Sequence, residues 1–102
     1  MIFFAKLAKK IDEDARLSIL QALSLAPGNE MNESVLDTVL AECGHKRSRE
    51  WVRQQMRYLA DIGGIVIDDD GPLILATITR SGLDHVERKA FLEGVKKPKP
   101  EF

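Results

Sequence analysis

The residues best suited to chemistry are three arginines spaced four apart: Arg49, Arg53 and Arg57. On an α-helix they fall within an arc of roughly 80°, and no acidic residue of the same helix lies in that arc. Trp51 and five other apolar residues occupy the opposite side. For a charged stripe in general, a solvated helix face is the commoner interpretation. The alternative is a surface for an anionic partner, which the position of this helix in the chain favours.

Other reactive residue types lack suitable neighbours. Cys43 and His45 are two soft ligands, too few for a zinc site, so we expect Cys43 in the core. Asp68–Gly71 lacks the alternating ligands of a calcium loop and indicates a hairpin turn. His85 stands among charged residues and is expected on the surface. The sequence contains no recognisable arrangement for an enzyme, a metal or a cofactor.

Length and composition indicate one globular domain of 102 residues, 44% hydrophobic and 30% charged. A single cysteine cannot form an internal disulfide, which suits the cytoplasm. The longest apolar run is too short to cross a bilayer. Lysines follow Met1–Leu7 without a cleavage pattern, so we expect neither a signal peptide nor a membrane partner.

The net charge of −1 conceals an uneven distribution. Residues 46–60 hold five cations and one anion, whereas residues 28–44 hold four anions and no cation. A nearly neutral chain of this kind can carry a local basic patch.

Capping residues and hydrophobic periodicity predict three helices in succession. The first covers Glu13–Leu25 after an acidic cap, and the second follows the N-cap Asn32 and ends at Gly44. The third begins at Ser48 and ends at the Gly63–Gly64 pair. The tight turn between the second and third helices is typical of a helix-turn-helix unit.

The last third predicts a hairpin and a final helix. Ile65–Ile67 and Leu73–Ile78 have the composition of paired strands, and Thr79 is a suitable N-cap for a helix over Arg80–Gly94. The predicted organisation is an N-terminal arm (1–10), a folded domain (11–94) and a basic extended tail (95–102).

Between Asp12 and Phe91 the chain resembles the winged helix-turn-helix family. The local similarity lies in Ser48–Arg53, Leu59–Ile65 and Ile78–Leu83, transitions that are similar to those of small bacterial ArsR and MarR regulators. Its size and arm also resemble small prophage proteins of Mu-like phages. The resemblance implies an α+β fold with a three-helix core, a two-stranded antiparallel wing and an additional C-terminal helix.

The resemblance also implies a DNA-binding protein, a transcriptional regulator that docks helix 48–62 in the major groove of double-stranded DNA. The implied contact residues are Lys46, Arg47, Ser48, Arg49, Arg53, Gln54 and Arg57. Arg49 and Arg53 are expected to approach bases, and Lys46, Arg47 and Arg57 to approach phosphates.

Two further expectations concern partners. A homodimer through the N-terminal arm or the last helix would supply a second half-site. The alternative to a DNA-binding protein is a winged-helix module that binds protein and not DNA. The acidic wing, Asp68–Asp70, favours this alternative because carboxylates repel phosphates.

Overall fold

A computed structural model describes residues 2–100, which form four α-helices and three short strands. The elements are α1 (Ile2–Leu25), β1 (Glu30–Asn32), α2 (Glu33–Glu42), α3 (Arg49–Asp61), β2 (Ile65–Asp68), β3 (Leu75–Ile78) and α4 (Arg80–Val86). A single 3₁₀ turn, Pro27–Asn29, joins α1 to β1.

Side-chain caps begin the helices where the sequence predicts. Asn32 accepts from the backbone N–H of Val35, and Ser48 accepts from that of Trp51. Thr79 caps α4 in the same way. Gly44, which follows α2, has a φ of 91°, the left-handed conformation that ends a helix at least cost in glycine.

The sheet is antiparallel, with strand order β1-β3-β2. Ala76 of the central strand pairs with Met31 on one side and Ile67 on the other. The expected hairpin is therefore present as β2 and β3. The third strand, β1, was not predicted, because three residues directly before a helix cap are too few to show a periodic pattern.

The core lies where α1 packs against α2, α3, α4 and the sheet. Its fully buried members include Leu20, Leu40, Met56 and Leu59, with Ala76 from the central strand. The α+β architecture is thus fixed by apolar faces that the helical period identifies.

The predicted start of the first helix, after the expected N-terminal arm, is wrong. For the described part of that arm, α1 runs without interruption from Ile2, and Asp12 lies within the helix, not at its cap. Residues 5–10 are strong helix formers with no glycine or proline, so the helix extends beyond the acidic cluster. Met1 lies outside the described residues.

The chain after α4 also departs from expectation. The helix ends at Val86, not Gly94, and Arg88 has a φ of 62°. The predicted tail packs on the domain through residue 98: the N–H of Lys96 donates to the carbonyl of Glu13, and Val95 and Pro98 are buried. Glu101 and Phe102, its last residues, lie outside the described part.

His85 is fully buried, contrary to the expectation of a surface side chain. Its Nδ1 accepts from the N–H of Leu92 at 2.9 Å, so the proton sits on Nε2, which donates to the carbonyl of Lys96 at 2.9 Å. The ring of His85 therefore supplies hydrogen bonds to backbone groups of Leu92 and Lys96, which lie beyond the end of the helix. Cys43, expected in the core, is exposed at the end of α2.

Within residues 2–100, no helix is long and apolar enough to cross a membrane. The same residues contain no group of three or more side chains placed to hold a metal ion.

The contact between α4 and the start of β2 gives a prediction about stability. A Cβ at Gly82 would lie 2.3 Å from the carbonyl oxygen of Gly64 and 2.6 Å from a side-chain carbon of Ile78. We expect Gly82→Ala to destabilise the protein by about 2 kcal/mol in urea unfolding, because backbone must move. Gly71→Ala, which meets nothing within 4 Å, is the matched control. Equal midpoints for the two variants would contradict this packing.

Candidate functional site

The third helix presents the predicted site residues because its other face is anchored in the core. Val52, Met56 and Leu59 are fully buried, and Trp51 is nearly so. The strongly segregated sequence of α3 leaves the arginine-bearing side directed away from that core.

A fully buried carboxylate, Glu33 in the first turn of α2, meets this arginine face. Arg53 donates to it twice, from Nε to Oε2 at 3.0 Å and from Nη2 to Oε1 at 2.7 Å. Arg49 donates from Nη1 to Oε1 at 3.3 Å. The N–H of Ile74 donates to Oε2 at 3.3 Å, so one side chain joins α2, α3 and the segment before β3.

These bonds explain the ionisation of the pair. The hydrogen bond from Arg53 holds the pKa of Glu33 down to about 2, which outweighs the opposite effect of burial. The N–H of Ile74 and the guanidinium of Arg49 act in the same direction. Glu33 in turn raises the pKa of Arg53.

Arg49 has a second acidic neighbour, Asp37, whose Oδ2 lies 3.5 Å from its Nε. That Nε is buried and makes no hydrogen bond within the described residues. We call Glu33, Asp37, Arg49 and Arg53 the Glu33 cluster. Its two carboxylates balance its two guanidinium groups, so the acidic and basic segments of the sequence largely neutralise each other here.

Glu33 and Asp37 were not predicted as members of the site. The acidic run before the basic helix was visible, but helix periodicity reports neighbours on one helix and not on the helix packed beside it. Both arginine side chains remain 37% exposed within the cluster.

The remaining predicted residues lie on the outer surface. Lys46, Arg47, Gln54 and Arg57 are exposed. Among residues 2–100, the three cations of this set have no carboxylate oxygen within 4.0 Å. Ser48, the last predicted contact residue, is exposed but uses its oxygen as the cap of α3.

Carboxylates of α1 hold the beginning of α3. The indole N–H of Trp51 donates to Asp12 at 3.2 Å. Nε2 of the buried His45 lies 2.7 Å from Oδ2 of Asp14. The ring centroids of His45 and Trp51 are 5.9 Å apart. Burial raises the pKa of Asp14, but hydrogen bonds from His45 and Lys96 outweigh this and keep it below its ordinary value.

Arg47 covers the outer side of the same tryptophan, with its guanidinium carbon 4.6 Å from the ring centroid. The turn between α2 and α3 is therefore fixed from both sides. A fixed turn gives the exposed cations beside it a defined position relative to the helix.

Fold and site together define a small α+β protein in which two helices joined by a short turn present a partly neutralised cationic face. The chain belongs to the family of gp26 of Escherichia phage Mu, described as an uncharacterized protein. The two are 38% identical over 90 residues, which cover 88% of this chain and 93% of gp26. An uncharacterized protein of Haemophilus influenzae strain Rd is 36% identical over 93 residues, 89% of each chain. No family model matches the sequence. No solved structure matches it either.

The Glu33 cluster gives a prediction about pH. Because the pKa of Glu33 is lowered from 4.5 to about 2, its charge stabilises the fold fully above pH 4.5, and this contribution is lost as pH falls towards 2. We expect Glu33→Gln to lower the free energy of unfolding by about 3 kcal/mol at pH 7, since it leaves the guanidinium groups without their buried partner. The deficit should shrink steadily below pH 4.5.

Urea unfolding from pH 7 to pH 2.5 measures this dependence. Glu42→Gln, at an exposed carboxylate of the same helix, is the matched control and should behave as wild type. A Glu33→Gln deficit that does not change with pH would contradict the assigned ion pair.

Proposed function

We propose that the protein is a DNA-binding winged helix-turn-helix protein of the regulatory type, with α3 docked in the major groove. The observation that carries this proposal is the set of exposed cations at the start and along the outer side of α3. Lys46, Arg47 and Arg57 have no internal carboxylate partner among the described residues. Cations of this kind are the usual contacts to phosphate.

The arrangement of elements supports the same proposal. A short turn over residues 43–48 links α2 and α3, and the β2–β3 hairpin follows α3 as a wing would. The N-terminal end of α3, with its cap Ser48, carries backbone N–H groups suited to a phosphate.

The Glu33 cluster changes the division of roles within the proposed interface. Bidentate recognition of guanine needs two N–H groups on one edge of a guanidinium. Arg53 already presents its Nε and Nη2 edge to Glu33, which leaves only its Nη1 and Nη2 end, and Arg49 donates to the same carboxylate through Nη1. Glu33 and Asp37 also offset the charge of both arginines. We therefore assign most of the affinity to phosphate contacts from Lys46, Arg47 and Arg57. The exposed Gln54 is the side chain best placed to bond a base.

The β2–β3 hairpin limits how the protein can be oriented on DNA, because its tip is acidic. Asp68, Asp69 and Asp70 are exposed at its tip, where they would repel a phosphate backbone. The proposed complex keeps this tip away from DNA. The acidic tip and the neutralised arginines are also the specific observations that favour the second candidate, a protein-interaction module.

Fluorescence anisotropy with a labelled mixed-sequence duplex across a salt series tests the proposal. We expect wild-type binding to weaken steeply with salt. The triple variant Lys46→Ala, Arg47→Ala, Arg57→Ala should reduce the slope of log K against log salt by about 0.9 for each phosphate that is no longer neutralised.

The matched control removes three cations elsewhere: Arg80→Ala, Lys89→Ala and Lys97→Ala, in α4 and the segment after it. This control has the same net charge as the first triple variant, so equal weakening in both would mean that only total charge matters. Absence of binding at low salt would reject DNA binding and leave the protein-interaction module.

A further inference from the structure

The first turns of α1 form an apolar surface that the domain does not cover. Every described residue from 2 to 10 is exposed, and Phe3, Phe4 and Leu7 are 69%, 63% and 43% accessible. On the helix these three side chains and Ile11 fall within an arc of roughly 100°. We call them the amino-terminal stripe.

The stripe is rigidly presented. A helix of about ten residues is marginal by itself, but here it continues the helix whose later turns are buried in the core. Phe3 and Phe4 pack edge to face on each other, with ring centroids 5.4 Å apart. Lys6 and Lys9 lie outside the arc, so the stripe has a polar opposite face.

The stripe leads into an open cleft on the body of the domain. This cleft has a volume of about 520 Å³ and is lined by Lys10, Ile11, Glu13, Asp14, His45 and Lys96. Ile11 belongs to both surfaces. Phe3 lies eight residues before it, which is about 12 Å along the helix axis.

We propose that the occupant of this surface is a second copy of the chain, with the two α1 helices packed antiparallel about a twofold axis near Leu7. In that arrangement Leu7 meets its equivalent, and Phe3 of each copy lies opposite Ile11 of the other. Because Ile11 lines the cleft, Phe3 of each copy reaches the cleft of the other. An isologous contact of this kind closes as a dimer.

Charge complementarity supports a second copy as the occupant. Glu13 and Asp14 line the cleft, and no described cation lies within 4.0 Å of Glu13. An antiparallel partner brings the positive end of its α1 dipole towards these carboxylates. Lys10 and Lys96 line the same cleft, so the vesicle experiment below distinguishes an anionic lipid surface from a second copy.

The available area sets the strength of the contact. With about 200 Å² for a whole phenylalanine side chain, the exposed stripe amounts to roughly 350 Å² per copy. The pair buries roughly 700 Å² there, and the walls of the two clefts bring the total to about 1,000 Å², the lower bound for a specific interface. We expect a dimer that dissociates in the micromolar range.

The last helix, α4, was the other surface expected for a homodimer. It is seven residues long and buries Gly82 and His85.

Sedimentation equilibrium of the full chain from about 1 to 200 μM tests the dimer over this range. Wild type should change from monomer to dimer, and the double variant Phe3→Ser, Leu7→Ser should remain monomeric. These side chains are exposed, so folding should be retained, which circular dichroism checks. Leu25→Ser and Val66→Ser, at exposed apolar positions 87% and 60% accessible, form the matched control and should dimerise as wild type.

Orientation is tested by replacing Leu7 with cysteine in a Cys43→Ser background and adding a short bismaleimide. Leu7→Cys should cross-link to its own equivalent, whereas Lys9→Cys, on the other face, should not. A monomeric wild type throughout the concentration range would overturn the proposal. So would binding of monomers to phosphatidylserine vesicles that is abolished in the Phe3, Leu7 variant. Neither result depends on DNA binding.

Discussion

A carboxylate withdrawn from water is stable only where donors and opposite charge replace its hydration. Glu33 is withdrawn completely, and its compensation comes from two other parts of the chain, α3 and the segment before β3. The α3 arginines supply charge, and the N–H of Ile74 supplies a neutral donor. The N–H of Glu33 donates in return to the carbonyl of Ile74 at 2.8 Å. The position of α3 relative to α2 and the sheet therefore depends on this one side chain.

This constraint separates cations that serve the fold from cations that are free for a ligand. Arg49 and Arg53 belong to the first group, although the spacing of α3 places them in the same row as Arg57. Lys46 and Arg47 flank the start of α3 and belong with Arg57 to the second group, since they lack a carboxylate partner among residues 2–100, although Arg47 also packs on Trp51. The proposed nucleic-acid surface is accordingly centred on the turn and the outer side of α3, and three of the five predicted cations remain without a carboxylate partner there within the described part of the chain.

Local chemistry made much of the fold predictable. The caps Asn32, Ser48 and Thr79 were identified correctly because each depends only on its own side chain and the next three residues. The hairpin and the apolar face of α3 followed from periodicity. Boundaries set by tertiary contacts were not predictable. The end of α4 depends on a buried histidine that bonds backbone of the following segment, and no pattern in the sequence reports that contact.

The candidate site illustrates the same division. The arc of arginines on α3 was correctly deduced from spacing, and all seven predicted residues lie at or beside the start and outer side of that helix. Their pairing was missed because Glu33 and Asp37 approach from another helix, 12 to 20 residues away in the chain. The buried His45 was missed for a similar reason, since its partner Asp14 is contributed by α1.

The dependence of the α2–α3 arrangement on Glu33 is tested most directly by a double-mutant cycle between Glu33 and Arg53, measured as free energies of unfolding in urea at pH 7. Glu33→Gln, Arg53→Gln and the double variant complete the cycle with wild type. We predict a coupling free energy of about 2 kcal/mol, because each single change leaves a half-buried or buried partner without its charge. A coupling near zero would contradict this role of Glu33 and place Arg53 with the freely solvated cations.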